Sequence, residues 1–180
     1  MKKEIRIWPD SVLRQVAKPI KQVDDEVCAL AQDLLDTMAD EAGLAAPQIG
    51  VSRRIFVAQR WVETASGFDK SPQGALVCMN PVFVHKEGRM RGEEACLSIP
   101  GESGFVNRAQ RVVMEYTDLQ GQQQQLQADG FLAVCLQHEA DHLDGKLWVD
   151  YQDRTKRERV RYNMLRLKQT LYRNEQQVHG

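Results

Sequence analysis

Two histidines four residues apart, at the ends of the segment HEADH (residues 138–142), constrain the fold of this 180-residue chain more than any other feature. On an α-helix, residues with this spacing lie on one face, one turn apart, so both imidazoles can reach a single metal ion. A glutamate between them can take a proton from bound water, whereas Asp141 would face away and support the site. The segment therefore predicts a helix with His138 and His142 as metal ligands and Glu139 as the acid/base.

The alternative is that these histidines occur by chance on a solvated helix. Average residue usage produces the pattern on the order of once in a few hundred chains of this length. The predicted helix covers residues 131–143, with Asp129 as a candidate N-cap and Gly145 as its end. Its apolar side, which a buried site requires, is formed by Phe131, Leu132, Val134 and Leu136. Metal binding is therefore the favoured interpretation.

A catalytic metal site needs a third protein ligand and an open position. Downstream of the motif, Glu158 is the only reasonable candidate, since Trp148 stands where one class of zinc peptidases has its third histidine. Upstream, Cys96 lies in a polar, turn-rich segment, and its thiolate would suit Fe²⁺ or Zn²⁺. Cys135 and the two remaining cysteines lie in apolar stretches that are typical of small core residues. The residues alone leave open whether Cys96 is a ligand or a buried structural thiol.

The remaining pattern predicts helices at both ends of the chain and strands between them. The helices are expected over residues 11–17, with Ser11 as the cap, over 24–39 and over 153–173. Strands are predicted at residues 54–59, 75–79, 82–85 and 111–116, with a polar edge strand near 122–125 and a loop at 41–50. We therefore predict one α+β domain over residues 1–180, with mainly antiparallel β-sheets around a central metal-binding helix and a C-terminal helix.

Charge and hydropathy argue against several classes of function. The chain has 24 Lys and Arg against 25 Asp and Glu, so it has no global basic field that would favour nucleic acid. No apolar run approaches the length of a membrane span, and the N-terminal lysines precede no apolar core of a secretory signal. We expect a cytoplasmic protein with reduced thiols and no membrane contact, and nothing demands more than a monomer.

Three separated segments resemble the peptide deformylase family. They are EAGLAAPQ at residues 41–48, EACLS at 94–98 and QHEADH at 137–142. Their order and approximate spacing match the family, and the similarity extends over nearly the whole chain. The resemblance implies removal of the formyl group from N-formylmethionine at the start of new polypeptides, with release of formate.

The resemblance also implies a role for individual residues. The ligands of one Fe²⁺, which Zn²⁺ or Ni²⁺ can replace, would be Cys96, His138 and His142. Glu139 would be the general acid/base, and Gln48 with the backbone N–H of Leu97 would stabilise the oxyanion. The helix at 153–173 has eight basic residues and one glutamate from 154 onward. Such runs are usually solvated, but the resemblance implies contact with ribosomal RNA.

The peptide-binding cleft implied by the resemblance would be lined by Glu41, Ala42, Gly43, Ala95 and Cys135. Two of these depart from the family pattern, because Glu41 and Ala95 each replace a glycine. Ala95 would be strained only if its backbone were left-handed. The departures predict altered substrate fit beside an intact metal site. A non-catalytic paralogue and a zinc peptidase that uses Glu158 remain as alternatives.

Overall fold

The computed structural model describes residues 1–64, 67–71 and 73–178. The helices are α1 (Asp25–Met38), α2 (Gly130–Leu143) and α3 (Arg154–Val178). The strands are β1 (Gly43–Ala45), β2 (Ile55–Ala58), β3 (Trp61–Thr64), β4 (Gly67–Lys70), β5 (Leu76–Glu87), β6 (Met90–Glu94), β7 (Gly104–Arg108), β8 (Arg111–Thr117) and β9 (Gln123–Asp129). Single 3₁₀ turns occur at Ser11–Arg14, Ala46–Ile49 and Trp148–Tyr151.

Five strands form one antiparallel sheet in the order β1-β2-β5-β8-β9, whereas β3 pairs with β4 and β6 pairs with β7. Because side chains alternate along a strand, β2 and β5 contribute to two apolar cores. Phe56 and Cys78 pack with Leu136 of α2, whereas Ile55 and Met79 belong to the core formed with α1. The predicted α+β class, with α2 central among antiparallel sheets, is confirmed.

A third core fixes the C-terminal helix. Val160 and Met164 of α3 are buried with Trp8, Val106 and Trp148. The helix extends beyond the predicted end, and no helix in the described part of the chain is long and apolar enough to cross a membrane. That residues 1–180 form a single domain stays a prediction.

Local predictions differ from the structure where a tertiary contact decides the conformation. The first helix is one 3₁₀ turn, and it is capped by Asp10 rather than by Ser11. Asp129 occupies the N-cap position of α2, but its side chain makes no capping hydrogen bond among the described residues. The predicted strands at 75–79 and 82–85 form one strand, β5, with an irregularity near Asn80. Asn80 has a φ of 48°, and its side chain bonds both the N–H and the C=O of Ile20.

The predicted loop at 41–50 contains β1 and a 3₁₀ turn. Gly43 and Ala45 have little intrinsic strand propensity, so β1 exists because its backbone pairs with β2. The hairpin of β6 and β7 was not predicted either. The connection between its two strands carries Cys96.

Candidate metal centre and substrate cavity

The three predicted metal ligands converge in the structure. His138 and His142 lie one turn apart on α2, and their Nε2 atoms are 3.3 Å apart. Two nitrogens that bind one tetrahedral ion at about 2.0–2.1 Å are separated by about 3.3–3.4 Å. The sulfur of Cys96 and the two imidazole donors all lie within 4.8 Å of one another. The cluster therefore has the spacing that a single divalent ion requires.

A short turned segment after β6 carries Cys96 to the helix. The N–H of Ile99 donates to the C=O of Cys96 at 3.0 Å, which closes the turn. The C=O of Ser98 accepts a hydrogen bond from the N–H of Trp8 at 2.9 Å, and Ser98 is fully buried. These contacts tie the segment to the N-terminal part of the chain and hold the thiol close to the two histidines of α2.

A buried polar network orients the first histidine. Nδ1 of His138 lies 2.8 Å from a carboxylate oxygen of Glu94, which leaves Nε2 directed at the ligand cluster. Arg108 donates two hydrogen bonds to Glu94, at 2.8 and 2.9 Å, and a third to Asp141 at 2.5 Å. The hydroxyl of Tyr151 donates to the same Asp141 oxygen at 2.8 Å. Asp141 therefore supports the site through Arg108, as its position on the helix predicted.

The charges around the cluster suit a cation. Burial alone would raise the pKa of Glu94, but hydrogen bonds from Arg108 and His138 outweigh it and lower that pKa to about 2. Burial lowers the pKa of His138, but Cys96 and Glu94 outweigh it and raise that pKa to about 10. Burial holds the pKa of His142 well below its usual value, so this imidazole is neutral and its nitrogen can bind a metal ion. The negative groups that attract a proton to His138 would equally stabilise a divalent ion in its place.

Glu139 lies beside the cluster with its carboxylate buried. The residue is 4% exposed, and its Oε2 has no hydrogen-bond partner in the described part of the chain. Burial raises the pKa of Glu139 to about 7. Gly43 of β1 lies so close that a Cβ atom added there would be 2.6 Å from Oε1 of Glu139. The carboxyl group can therefore hold or release a proton near neutral pH, and only a glycine leaves room for it.

A cavity of about 200 Å³ opens onto these residues. Segments 41–48, 90–97 and 131–139 line it. The structure brings ten of the eleven predicted site residues to its wall, and they are Glu41, Ala42, Gly43, Gln48, Ala95, Cys96, Leu97, Cys135, His138 and Glu139. His142 is fully buried and does not line the cavity. The predicted site residues therefore lie in one place although three distant segments contribute them.

The sequence-based prediction missed further residues of this cavity and of its support. Phe131 and Val134 line the cavity, and their helical spacing from His138 is the signal that could have identified them. Met90 and Gly92 line it from β6. No local sequence pattern indicated Arg108, because its partners are distant in the sequence.

Polar contacts hold the side chains of two predicted site residues, Gln48 and Cys135. Oε1 of Gln48 accepts from the N–H of Ala45 at 2.9 Å, and its Nε2 lies 3.3 Å from the hydroxyl of Ser98. The thiol of Cys135 lies 3.3 Å from the C=O of Ala42. Gln48 is therefore oriented with its amide nitrogen, a hydrogen-bond donor, away from β1.

The structure resolves two questions that the sequence left open. Ala95 is exposed and does not have a positive φ, so its methyl group causes no backbone strain. The Glu158 side chain is 57% exposed on α3, where it pairs with Arg161 at 3.7 Å. Glu158 is not part of the ligand cluster, so the structure does not support the alternative in which it is the third ligand.

Comparison with known proteins agrees with this geometry. The model of the polypeptide deformylase family matches residues 2–158. The chain belongs to the polypeptide deformylase family. A peptide deformylase of Alkalilimnicola ehrlichii is 44% identical over 169 residues, which cover 91% of this chain and 89% of that protein.

Two solved structures extend the comparison. A peptide deformylase from Legionella pneumophila has a TM-score of 0.84 at 38% identity, covering 96% of this chain and 99% of that one. A peptide deformylase from Acinetobacter baumannii, solved with Met-Ala-Ser bound, has a TM-score of 0.76 at 29% identity, covering 84% and 99%. Members of this family remove the formyl group from N-terminal methionine, so this deformylase is a hydrolase. Membership argues against the zinc peptidase, and the presence of Glu139, Gln48 and all three candidate ligands in one site argues against the non-catalytic paralogue.

Proposed function

We propose that Cys96, His138 and His142 hold one divalent ion and that the adjoining cavity binds N-formylmethionyl peptides. The main observation behind this proposal is that the sulfur of Cys96 and one nitrogen of each histidine lie within 4.8 Å of one another. The buried carboxyl group of Glu139 lies beside them. We propose Fe²⁺ as the native ion, with Zn²⁺ or Ni²⁺ as substitutes, since this donor set suits all three. When bound, the ion supplies Lewis acidity that polarises a carbonyl oxygen and acidifies water.

Glu139 acts as the general acid/base in this proposal. It takes a proton from the water that attacks the formyl carbon. It returns a proton to the methionine nitrogen as the C–N bond breaks, so formate and a free amine result. A pKa of about 7 suits both transfers, because neither protonation state is rare near neutral pH. The close approach of Gly43 holds the carboxyl group at the cavity wall.

Gln48 and the backbone N–H of Leu97 are proposed to stabilise the oxyanion. Both residues line the cavity, and Gln48 is oriented by the N–H of Ala45. Donors that are fixed before the reaction lower the barrier without reorganising, and loss of one typically costs about 10²–10³ in kcat.

The peptide is proposed to contact Glu41, Ala42, Gly43, Ala95 and Cys135, which line the cavity. The Acinetobacter baumannii relative, which was solved with Met-Ala-Ser bound, supports a peptide as the ligand. Because the Ala95 backbone is unstrained, its methyl group alters the shape of the exposed rim and leaves the ligand segment undisturbed.

We further propose that the basic face of α3 contacts the ribosome, where N-formylmethionine begins each new chain, and that the protein acts in the cytoplasm as a monomer. The exposed arginines of α3 support this proposal, since they lie opposite the buried Val160 and Met164. Contact with RNA phosphates would make the affinity dependent on salt.

The decisive experiment measures formate release from formyl-Met-Ala-Ser under anaerobic conditions, with metal content determined in parallel. Cys96→Ala should lose both the metal and the activity. Glu139→Gln should keep the metal and lose about 10²–10⁴ in kcat, because only proton transfer is removed. Metal retention by Cys96→Ala, or full activity of Glu139→Gln, would refute the assignment.

A further inference from the structure

Glu41 brings a negative charge to the mouth of the substrate cavity. It is exposed, lies in the loop between α1 and β1, and lines the cavity. The cavity wall also carries Glu139, whose Oε2 is buried without a partner in the described residues. The Glu41 carboxylate therefore lies beside a formed site rather than on an open surface.

The backbone around Glu41 is fixed by contacts with three other parts of the chain. The N–H of Glu41 donates to the C=O of Met38 at 2.9 Å. The C=O of Ala42 accepts from the N–H of Gln59 at 2.8 Å and lies 3.3 Å from the thiol of Cys135. A backbone held in this way keeps the Glu41 carboxylate within side-chain reach of the cavity mouth.

Two other carboxylates at the cavity, Glu94 and Glu93, have hydrogen-bond partners. Glu94 is neutralised by the bidentate Arg108. Glu93 accepts a hydrogen bond from the hydroxyl of Ser103. Because side chains alternate along β6, Glu93 shares its face with Arg91 rather than with Glu94. The ion pair with Arg108 leaves Glu94 with little net field at the cavity mouth, whereas the neutral hydroxyl partner of Glu93 leaves its charge in place.

Glu41 has no such partner. It forms no ion pair with a residue in the described part of the chain, and the nearby Lys70 bonds Asp40 at 2.6 Å. Within the described residues, no lysine or arginine lines the cavity. A cationic side chain on a bound peptide would therefore meet an uncompensated negative charge.

We propose that Glu41 is a specificity-determining residue that favours polypeptides with a lysine or arginine within two residues of the starting methionine. The inference rests on the proposed peptide-binding role of the cavity. A long cationic side chain can reach the carboxylate while its charged end stays hydrated. Exposed ion pairs of this kind change an equilibrium by about two- to fivefold, which sets the expected effect.

The test consists of two cycles, each with two substrates and two enzymes, measured as kcat/KM. Formyl-Met-Lys-Ser is compared with formyl-Met-Gln-Ser, and formyl-Met-Ala-Lys with formyl-Met-Ala-Gln, for the wild type and Glu41→Gln. The wild type should prefer lysine by about two- to fivefold in at least one pair, and Glu41→Gln should bring that ratio to about one. Because salt screens the attraction between the cationic substrate and Glu41, the preference for lysine should also decrease at high salt.

Glu115→Gln is the matched control, because it removes the same charge from an exposed position on β8 that does not line the cavity. It should keep the wild-type ratio. The proposal is overturned if neither pair shows a preference, or if Glu41→Gln and Glu115→Gln change the ratio equally.

If the proposed function itself were wrong, even formyl-Met-Ala-Ser would release no formate. That result differs from failure of the specificity proposal, in which formate is released without a preference for lysine. The same cycle is therefore also measured by calorimetry with the product peptides Met-Lys-Ser and Met-Gln-Ser, which need no turnover. Equal affinities of the wild type for both product peptides, together with equal affinities for Met-Ala-Lys and Met-Ala-Gln, would overturn the specificity role independently.

Discussion

Gly43→Ala should disable the acid/base while it leaves the metal ligands in place. Gly43 begins β1 and has no positive φ, so the backbone accepts alanine without strain. The obstacle is Glu139, because the new Cβ atom would lie 2.6 Å from its Oε1, 2.7 Å from its Cγ and 2.8 Å from its Cδ. The perturbation therefore acts on Glu139 through direct contact, and any effect on the cavity wall, which Gly43 also lines, would appear in KM.

The size of the effect follows from these distances. Cβ atoms essentially never lie within 3.0 Å of another atom and are in ordinary contact from 3.4 Å. The Glu139 carboxyl group must therefore retreat by about 0.4–0.8 Å, against surroundings that bury it almost completely. A misplacement of about 1 Å can cost about 10²-fold in rate, so we expect kcat to fall by about 10- to 100-fold. Overpacking should also lower the free energy of unfolding by about 1–3 kcal/mol.

The assay is formate release from formyl-Met-Ala-Ser, with metal content and urea denaturation measured on the same preparations. Gly92→Ala is the control, since it adds the same methyl group beside the same cavity where no atom lies within 4 Å. It should change kcat by less than about twofold. A Gly43→Ala enzyme with wild-type kcat, or one that has lost its metal, would refute the reasoning.

Two further predictions concern the support of the site and the C-terminal helix. Arg108→Met should lower the free energy of unfolding by about 3–5 kcal/mol, because it leaves the buried Glu94 and the partly buried Asp141 without their cation. A loss below about 1 kcal/mol in urea denaturation would contradict this. Replacing the exposed arginines Arg159, Arg166 and Arg173 by glutamine should weaken co-sedimentation with ribosomes and reduce its salt dependence, while the core contacts of α3 remain. If the variant and the wild type co-sedimented equally across a salt series, this face of α3 would be excluded as the ribosome contact.

The sequence predicted those features of the site that depend on local geometry. His138, Glu139 and His142 lie within one helical turn, so their relative positions follow from the helix period alone. The strands β2, β8 and β9 and the helices α1, α2 and α3 were predictable for the same reason, since alternation and helical spacing are local patterns. The resemblance to deformylases then identified Cys96, which no spacing rule could select over Glu158.

Tertiary structure decided the contacts between distant segments. Arg108 joins Glu94 and Asp141 only because the β6–β7 hairpin packs on α2, and β1 forms from weak strand residues only because β2 pairs with it. The glycine at position 43 is required by the carboxyl group of Glu139, a residue far away in the sequence. Such requirements arise from close packing between segments, and a linear pattern carries no information on which segments will meet.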